Sequence, residues 1–206
     1  MPAPLPQKSK ISDGVGWPLE RRPELSACIA RIATFWSRIE ERLAQTATHL
    51  LGAEPHAGMR MFQALPASSD RIAMVRALAL DALDKEAQHR LDELVVRYRE
   101  AEWKRDKVVR GHWYVSDDHP DALVWADPAD EITEASAFWS GYRSSKGFED
   151  QLRFARGYER QRPDYFLFDK AEFESILEEF RALGFALTDF NLDVAEARTQ
   201  AAEADS

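Results

Sequence analysis

The chain has 206 residues, 45% hydrophobic and 31% charged, which is enough for one domain of ordinary size with a buried core. This composition excludes a disordered or membrane-embedded chain, since no window approaches 18 consecutive apolar residues. The single cysteine, Cys28, excludes an internal disulfide and favours a reducing compartment, so we expect a cytoplasmic protein.

The net charge of −9 is distributed unevenly along the chain. Residues 169–206 hold ten acidic and three basic side chains, whereas residues 97–112 hold six basic and three acidic ones. Residues 136–163 also hold six basic and three acidic side chains. The two basic zones predict contact with an anionic partner such as RNA, and solvated helix faces are the alternative interpretation of each.

The N-terminal half predicts helices. Residues 1–22 are rich in proline and predict a flexible arm. Apolar residues at alternating steps of four and three from Leu25 to Leu43 predict a helix that continues to Leu51 and ends at Gly52. Shorter helical segments are predicted over 54–65 and after residue 68, and a long helix from Asp84 to a stop at Gly111.

The pattern then changes. The segments "HWYVS" and "DALVWAD" flank a turn-rich "DDHP" and predict a β-hairpin over residues 113–126. Residues 130–162 are polar, aromatic and basic, with a helix expected near 148–158, and residues 164–168 form a short extended run. Asp169 and Glu172 begin a last helix in the manner of a capping box, and residues 195–206 predict a disordered polar tail.

Long amphipathic helices joined by short loops predict a mainly α fold, an antiparallel helical bundle with a small β-hairpin insertion. We expect a single helical domain over residues 23–194, in which the hairpin and an irregular insertion occupy about 113–168.

The segment "EWKRDKVVRGHWYVS" places Arg105 and His112 seven residues apart, on one side of a helix. Gly111 is expected to free His112 from helical geometry, so that the imidazole turns back toward the guanidinium. Histidine can move a proton to or from a ribose hydroxyl, and arginine offers a planar fork to a phosphate. The same spacing recurs at Arg42 and His49.

Neighbouring side chains extend this candidate site to Lys104, Lys107, Arg110 and Trp113, which we expect to bind the backbone and bases of RNA. A structural interpretation stays open beside the functional one. In that alternative, Arg105 forms an ion pair inside the bundle with Glu40, and His112 interacts with the helix dipole.

A helical bundle with Arg, four to six intervening residues and His at the end of the last-but-one core helix is typical of the HEPN superfamily (higher eukaryotes and prokaryotes nucleotide-binding). This chain resembles that pattern, with six intervening residues, the long end of the family range. The resemblance covers about residues 25–113, with 169–190 as a closing helix. It implies a metal-independent endoribonuclease in which two protomers join their motifs, so it also implies a homodimer. Arg105 would hold the phosphate and His112 would do the acid–base work. Asp106 departs from the family, which often has a polar amide there.

Two further features limit the chemistry. No grouping of His, Cys or carboxylate residues has the spacing of metal ligands, and the glycines form no phosphate-binding loop, so we expect neither a metal nor a cofactor. The competing hypothesis is a non-catalytic helical module for oligomerisation or partner binding, in which the aromatic residues fill a core or an interface.

Overall fold

The computed structural model describes residues 2–6, 9–11, 18–145, 147–157 and 164–204. Within these ranges the helices are α1 (Pro23–Leu51), α2 (Pro55–Ala64), α3 (Ser68–Ala82), α4 (Lys85–Arg110), α5 (Pro128–Ser144), α6 (Phe148–Gly157) and α7 (Lys170–Ala204). The strands are β1 (Ala3–Pro4), β2 (His112–Ser116), β3 (His119–Ala126) and β4 (Phe166–Asp169). The predicted fold class, mainly helical with a small β insertion, is confirmed.

The chain forms two compact units. Residues 31–105 and 175–206 form the helical unit, and residues 1–30 and 106–174 form the sheet unit. The sequence predicts one domain over residues 23–194, and the structure divides that span between the two units. The physical reason is that the segment after α4 builds a core of its own around the sheet, with Trp113, Phe168 and Phe173 in mutual contact.

Helices α4 and α7 run antiparallel in the helical unit. Arg90 bonds to Asp193 at 2.8 Å, and Lys104 bonds to Glu179, so increasing residue number on one helix matches decreasing number on the other. The buried faces carry the predicted helical stripes. In this unit the buried residues of α4 are Leu91, Leu94, Val95, Tyr98 and Ala101, and those of α7 include Leu177, Phe180, Leu183, Leu187 and Phe190.

Helices α1 and α7 run in the same direction. The rings of Trp36 and Phe180 lie 6.1 Å apart, and Thr46 donates a hydrogen bond of 2.7 Å to Asn191. The long helices of this unit are therefore not all antiparallel neighbours, because the connection between α4 and α7 passes through the sheet unit. Helix α1 ends as predicted at Leu51, where Gly52 has a φ of 62°.

The sheet unit contains a four-stranded antiparallel sheet in the order β1-β4-β3-β2. Trp113 pairs with Trp125, which pairs with Phe166, so these three rings lie on one face. The ring of Trp113 meets Phe168 at 5.3 Å and Phe173 at 5.7 Å. The alternate residues of β2 project to the opposite face, where α5 contributes a side chain to the site described below.

The predicted hairpin over 113–126 is confirmed as β2 and β3, and the structure adds two strands to it. Strand β4 pairs with β3, and β1 pairs with β4 through Ala3 opposite Leu167. Leu5 N also donates to Tyr165 O at 2.8 Å. Part of the predicted flexible arm is thus a sheet edge, while residues 12–17 lie outside the described residues.

Two helices extend beyond the sequence expectations. Helix α5 occupies Pro128–Ser144, where the sequence predicts an irregular insertion, because Asp127 caps its first turn and Pro128 suits the first helical position. Helix α7 continues to Ala204, through most of the segment predicted as a polar tail over 195–206. Arg198 joins this extension to the end of α1 by donating hydrogen bonds to the carbonyl oxygens of His49 and Leu50.

Candidate acid–base site around His112

The end of α4 determines where His112 lies. The helix ends at Arg110, and His112 is the first residue of β2. Gly111 N donates to Lys107 O at 3.0 Å, and the indole Nε1 of Trp125 donates to the same carbonyl at 2.7 Å. Gly111 packs directly on that indole, since an added Cβ would lie 2.7 Å from Cε2 of the ring. The glycine and the indole together fix the direction in which the chain leaves the helix.

Glu131 bonds to two side chains of β2. His112 and Tyr114 are two residues apart on the strand, so their side chains lie on the same face. The carboxylate of Glu131, in the first turn of α5, bonds to His112 Nδ1 and accepts a hydrogen bond from the hydroxyl of Tyr114. Asp127 fixes the start of α5 by accepting from Ala129 N at 2.9 Å.

The two partners differ in exposure. The side chain of His112 is 53% exposed, whereas that of Glu131 is 18% exposed. A carboxylate on Nδ1 favours the tautomer that carries its proton there, which leaves the lone pair on Nε2. An imidazole held in this way can accept a proton at Nε2, and the carboxylate stabilises the resulting imidazolium. The arrangement is therefore suited to proton transfer with a solvent-borne substrate.

Arg105 belongs to the helical unit. Its guanidinium carbon lies 4.9 Å from the ring centroid of Trp36, a cation–π geometry, and the Trp36 ring lies 4.9 Å from that of the fully buried Tyr98. Glu40, the predicted partner of Arg105, bonds to Arg71 at 3.2 Å. The arginine of the motif is thus stacked on an indole, whereas the histidine is bound to a carboxylate.

The predicted RNA-binding side chains have different surroundings. Lys104 forms the ion pair with α7 described above. The ammonium of Lys107 lies 5.1 Å from the ring of Trp125. Arg110 is 72% exposed, with its Nε 3.7 Å from Asp106 one helical turn earlier. Of these three cations, Arg110 is the most exposed and the nearest to His112 in the sequence.

Trp113 is part of the packing of the sheet unit. Its Nε1 donates to Val108 O at 3.1 Å, and its ring contacts Phe168 edge-on. The indole is only partly exposed. Its contacts are those of a residue that fastens β2 to the end of α4.

The sequence patterns do not predict that Glu131 bonds to His112 and Tyr114. Glu131 lies 19 positions after His112, and only the fold brings the two side chains together. A local signal was present for Tyr114, because residues at i and i+2 of a predicted strand share a face. Glu131 had the weaker signal of an acidic residue in the first turn after Asp127 and Pro128.

The described ranges contain no candidate metal site and no candidate membrane-spanning helix. No group of three or more His, Cys, Asp or Glu side chains among the described residues is arranged to hold a metal ion. The helices of the same ranges include none with the length and apolar character needed to cross a membrane. No family model matches the sequence, and no curated protein or solved structure matches it significantly.

Proposed function

We propose that this chain is a cytoplasmic RNA-binding protein that cleaves RNA without a metal ion, with His112 as its acid–base residue. The observation that carries the proposal is the contact between His112 Nδ1 and Glu131, which orients a half-exposed imidazole. The HEPN-like spacing of Arg105 and His112 supports the same class of chemistry.

The surroundings of the imidazole fit an anionic substrate. Arg110 precedes His112 by two residues and is 72% exposed, so its guanidinium is accessible to a phosphate. Tyr114 occupies the second oxygen of Glu131, so that this carboxylate is held on both sides. A carboxylate that is hydrogen-bonded at both oxygens keeps the imidazole in one orientation, which proton transfer requires.

The reaction proposed is an internal transfer at phosphorus. His112 Nε2 takes the proton of the ribose 2′-hydroxyl, and the 2′-oxygen attacks the adjacent phosphorus as the bond to the 5′-oxygen breaks. The leaving 5′-oxygen takes a proton from a water molecule, and the hydroxide that remains takes the proton from His112 Nε2. The products are a 2′,3′-cyclic phosphate and a 5′-hydroxyl, and the imidazole is neutral again. Glu131 stabilises the imidazolium that forms, and Arg110 stabilises the negative charge that grows on the phosphate.

The test is cleavage of a panel of fluorescently labelled RNAs in the presence of a chelator. We expect His112→Ala to reduce the rate by about 10²–10⁴-fold, the usual contribution of acid–base catalysis. Glu131→Gln should reduce it as well, because the neutral amide lacks the negative charge that stabilises the imidazolium. Cleavage should weaken as salt is raised, because basic side chains hold the phosphates.

The matched control is His89→Ala. His89 also faces a glutamate, Glu93, at 3.5 Å, but both side chains lie exposed on one helix of the helical unit. Its removal should leave the rate unchanged. A wild-type protein that cleaves no RNA on the panel, or a His112→Ala protein that cleaves at the wild-type rate, overturns the proposal.

A second candidate function is a non-catalytic module for self-association or partner binding, including a homodimer. Phe185 and Leu192 favour it, because they are 69% and 57% exposed and lie seven residues apart on one side of α7. Sedimentation of the wild type beside Phe185→Ser tests this candidate. If the wild type and Phe185→Ser both sediment as monomers, Phe185 and Leu192 do not form a dimer surface.

A further inference from the structure

Helices α5 and α6 carry a cluster of aromatic side chains, which we call the aromatic surface: Phe138, Trp139 and Tyr142 of α5 with Phe154 of α6. The Phe138 ring lies 5.3 Å from Trp139, 6.0 Å from Tyr142 and 5.8 Å from Phe154. No residue of α5 is buried, and Trp139 is 53% exposed. Phe138 therefore contacts the other three rings, and Trp139 also contacts Tyr142 at 5.7 Å, so the cluster holds one indole in place at the surface.

The helix pair that presents this cluster is fixed by two glycines. At Gly141 the ring of Phe154 packs against the backbone of α5, because an added Cβ would lie 2.6 Å from Cε2 of that ring. Gly147 begins the turn into α6 with a φ of 90°, which side chains rarely allow. The aromatic surface is thus held by backbone geometry as well as by ring contacts.

The same face of α5 carries the residue that orients His112. Glu131, Phe138 and Tyr142 occupy positions i, i+7 and i+11, which lie within about 40° of one another around a helix. Along the axis, Tyr142 lies roughly 16 Å from Glu131 at about 1.5 Å per residue. A chain bound at His112 can therefore continue along α5 over the aromatic rings.

The charges beside the rings suit phosphate groups. Arg143 follows Tyr142 and donates from Nε to the backbone oxygen Trp139 O at 3.2 Å, which holds its side chain against the helical turn that carries Trp139. The side chain of Arg153 is 82% exposed and lies 3.9 Å from Asp150. A purely apolar partner forms no ion pairs with these cations. A single strand of nucleic acid has bases that stack on the rings and phosphates that pair with the cations.

We propose that the aromatic surface is a base-stacking subsite for single-stranded nucleic acid, with Trp139 as its principal platform. That the strand is RNA rests on the proposed function. Unpaired bases stack on exposed rings, and duplexed bases do not present their faces. A second copy of this chain is the competing occupant of the same surface.

The experiment measures binding of a fluorescein-labelled uridine 12-mer by anisotropy, in a His112→Ala background so that the probe stays intact. Trp139→Ala should weaken binding by about 5- to 100-fold, the effect of removing one stacking platform. Trp139→Phe should restore most of the affinity, because a phenyl ring still offers a face. The matched control is Trp103→Ala, since Trp103 is 56% exposed but lies on α4 in the helical unit. It should change affinity by less than about twofold.

Each further outcome decides between the proposals. Three results overturn the subsite. In the first, the His112→Ala parent binds no 12-mer. In the second, it binds the duplexed 12-mer as tightly as the single strand, and in the third, Trp139→Ala binds as tightly as this parent. A change of sedimentation in Trp139→Ala without a change in affinity assigns the surface to a second copy and also overturns it. Binding that depends on Trp139 in a protein that cleaves no RNA supports the subsite and overturns only the nuclease.

Discussion

Gly111 offers a sharp test of the geometry that positions His112. This glycine has a negative φ, so an alanine meets no backbone strain there. The obstacle is a neighbouring side chain, because the added Cβ would lie within 2.7 Å of Cε2 of Trp125. Trp125 is 4% exposed and cannot move outward without opening the sheet unit. We therefore expect Gly111→Ala to displace the indole.

The size of the effect follows from two losses. Forcing an extra carbon into a packed site costs about 1–3 kcal/mol. The displaced indole also loses its hydrogen bond of 2.7 Å to Lys107 O, which contributes about 1 kcal/mol. We expect Gly111→Ala to lower the free energy of unfolding by about 2–4 kcal/mol, and Tm by roughly 4–16 °C for a chain of this size.

Urea unfolding followed by circular dichroism measures the change. The matched control is Gly184→Ala, because the added Cβ at Gly184 has no atom within 4 Å and the site lies inside α7. That control should raise stability by about 0.5–1 kcal/mol, the helix preference of alanine over glycine. A neutral or stabilising Gly111→Ala would show that Trp125 does not press on Gly111, and the account of the helix end would be wrong.

Two further predictions concern the helical unit. Arg198→Ala should cost about 1 kcal/mol in urea unfolding, because it removes the hydrogen bonds to the carbonyl oxygens of His49 and Leu50; an unchanged midpoint would show that α7 does not cap α1 there. Burial raises the pKa of Tyr98 above its ordinary value, and Glu40 adds a smaller effect in the same direction. The folded state therefore keeps a proton that the unfolded state loses above pH of about 10. The free energy of unfolding should fall as pH rises beyond that point, and the same fall in Tyr98→Phe would contradict this assignment.

Helix α1 could be predicted from the sequence because its signals are local. Apolar residues from Leu25 to Leu43 repeat with the helical period, and Gly52 supplies the positive φ that ends the helix. The pairing of β1 and β4 could not be predicted in the same way. These strands have two and four residues, too few for an alternating pattern, and their pairing depends on a contact between distant segments.

Helix α5 illustrates a different limit. Its start has recognisable signals, with Asp127 as the cap and Pro128 as the first residue. None of its residues is buried, so no apolar stripe of the usual kind marks the remaining turns. The aromatic residues Phe138, Trp139 and Tyr142 face one another and α6 instead of a central core.

The candidate site follows from how α4 ends more than from the spacing of its residues. An arginine and a histidine seven apart share a side only while the helix continues, and α4 ends at Arg110, before His112. The orientation of the imidazole then depends on strand pairing and on Glu131, which the spacing does not encode. If this reasoning is correct, RNA cleavage should lose more rate from Glu131→Gln than from Arg105→Ala. The reverse order would indicate that the Arg–His motif acts as a unit, as it does in the family that it resembles, with Glu131 as a support for the fold.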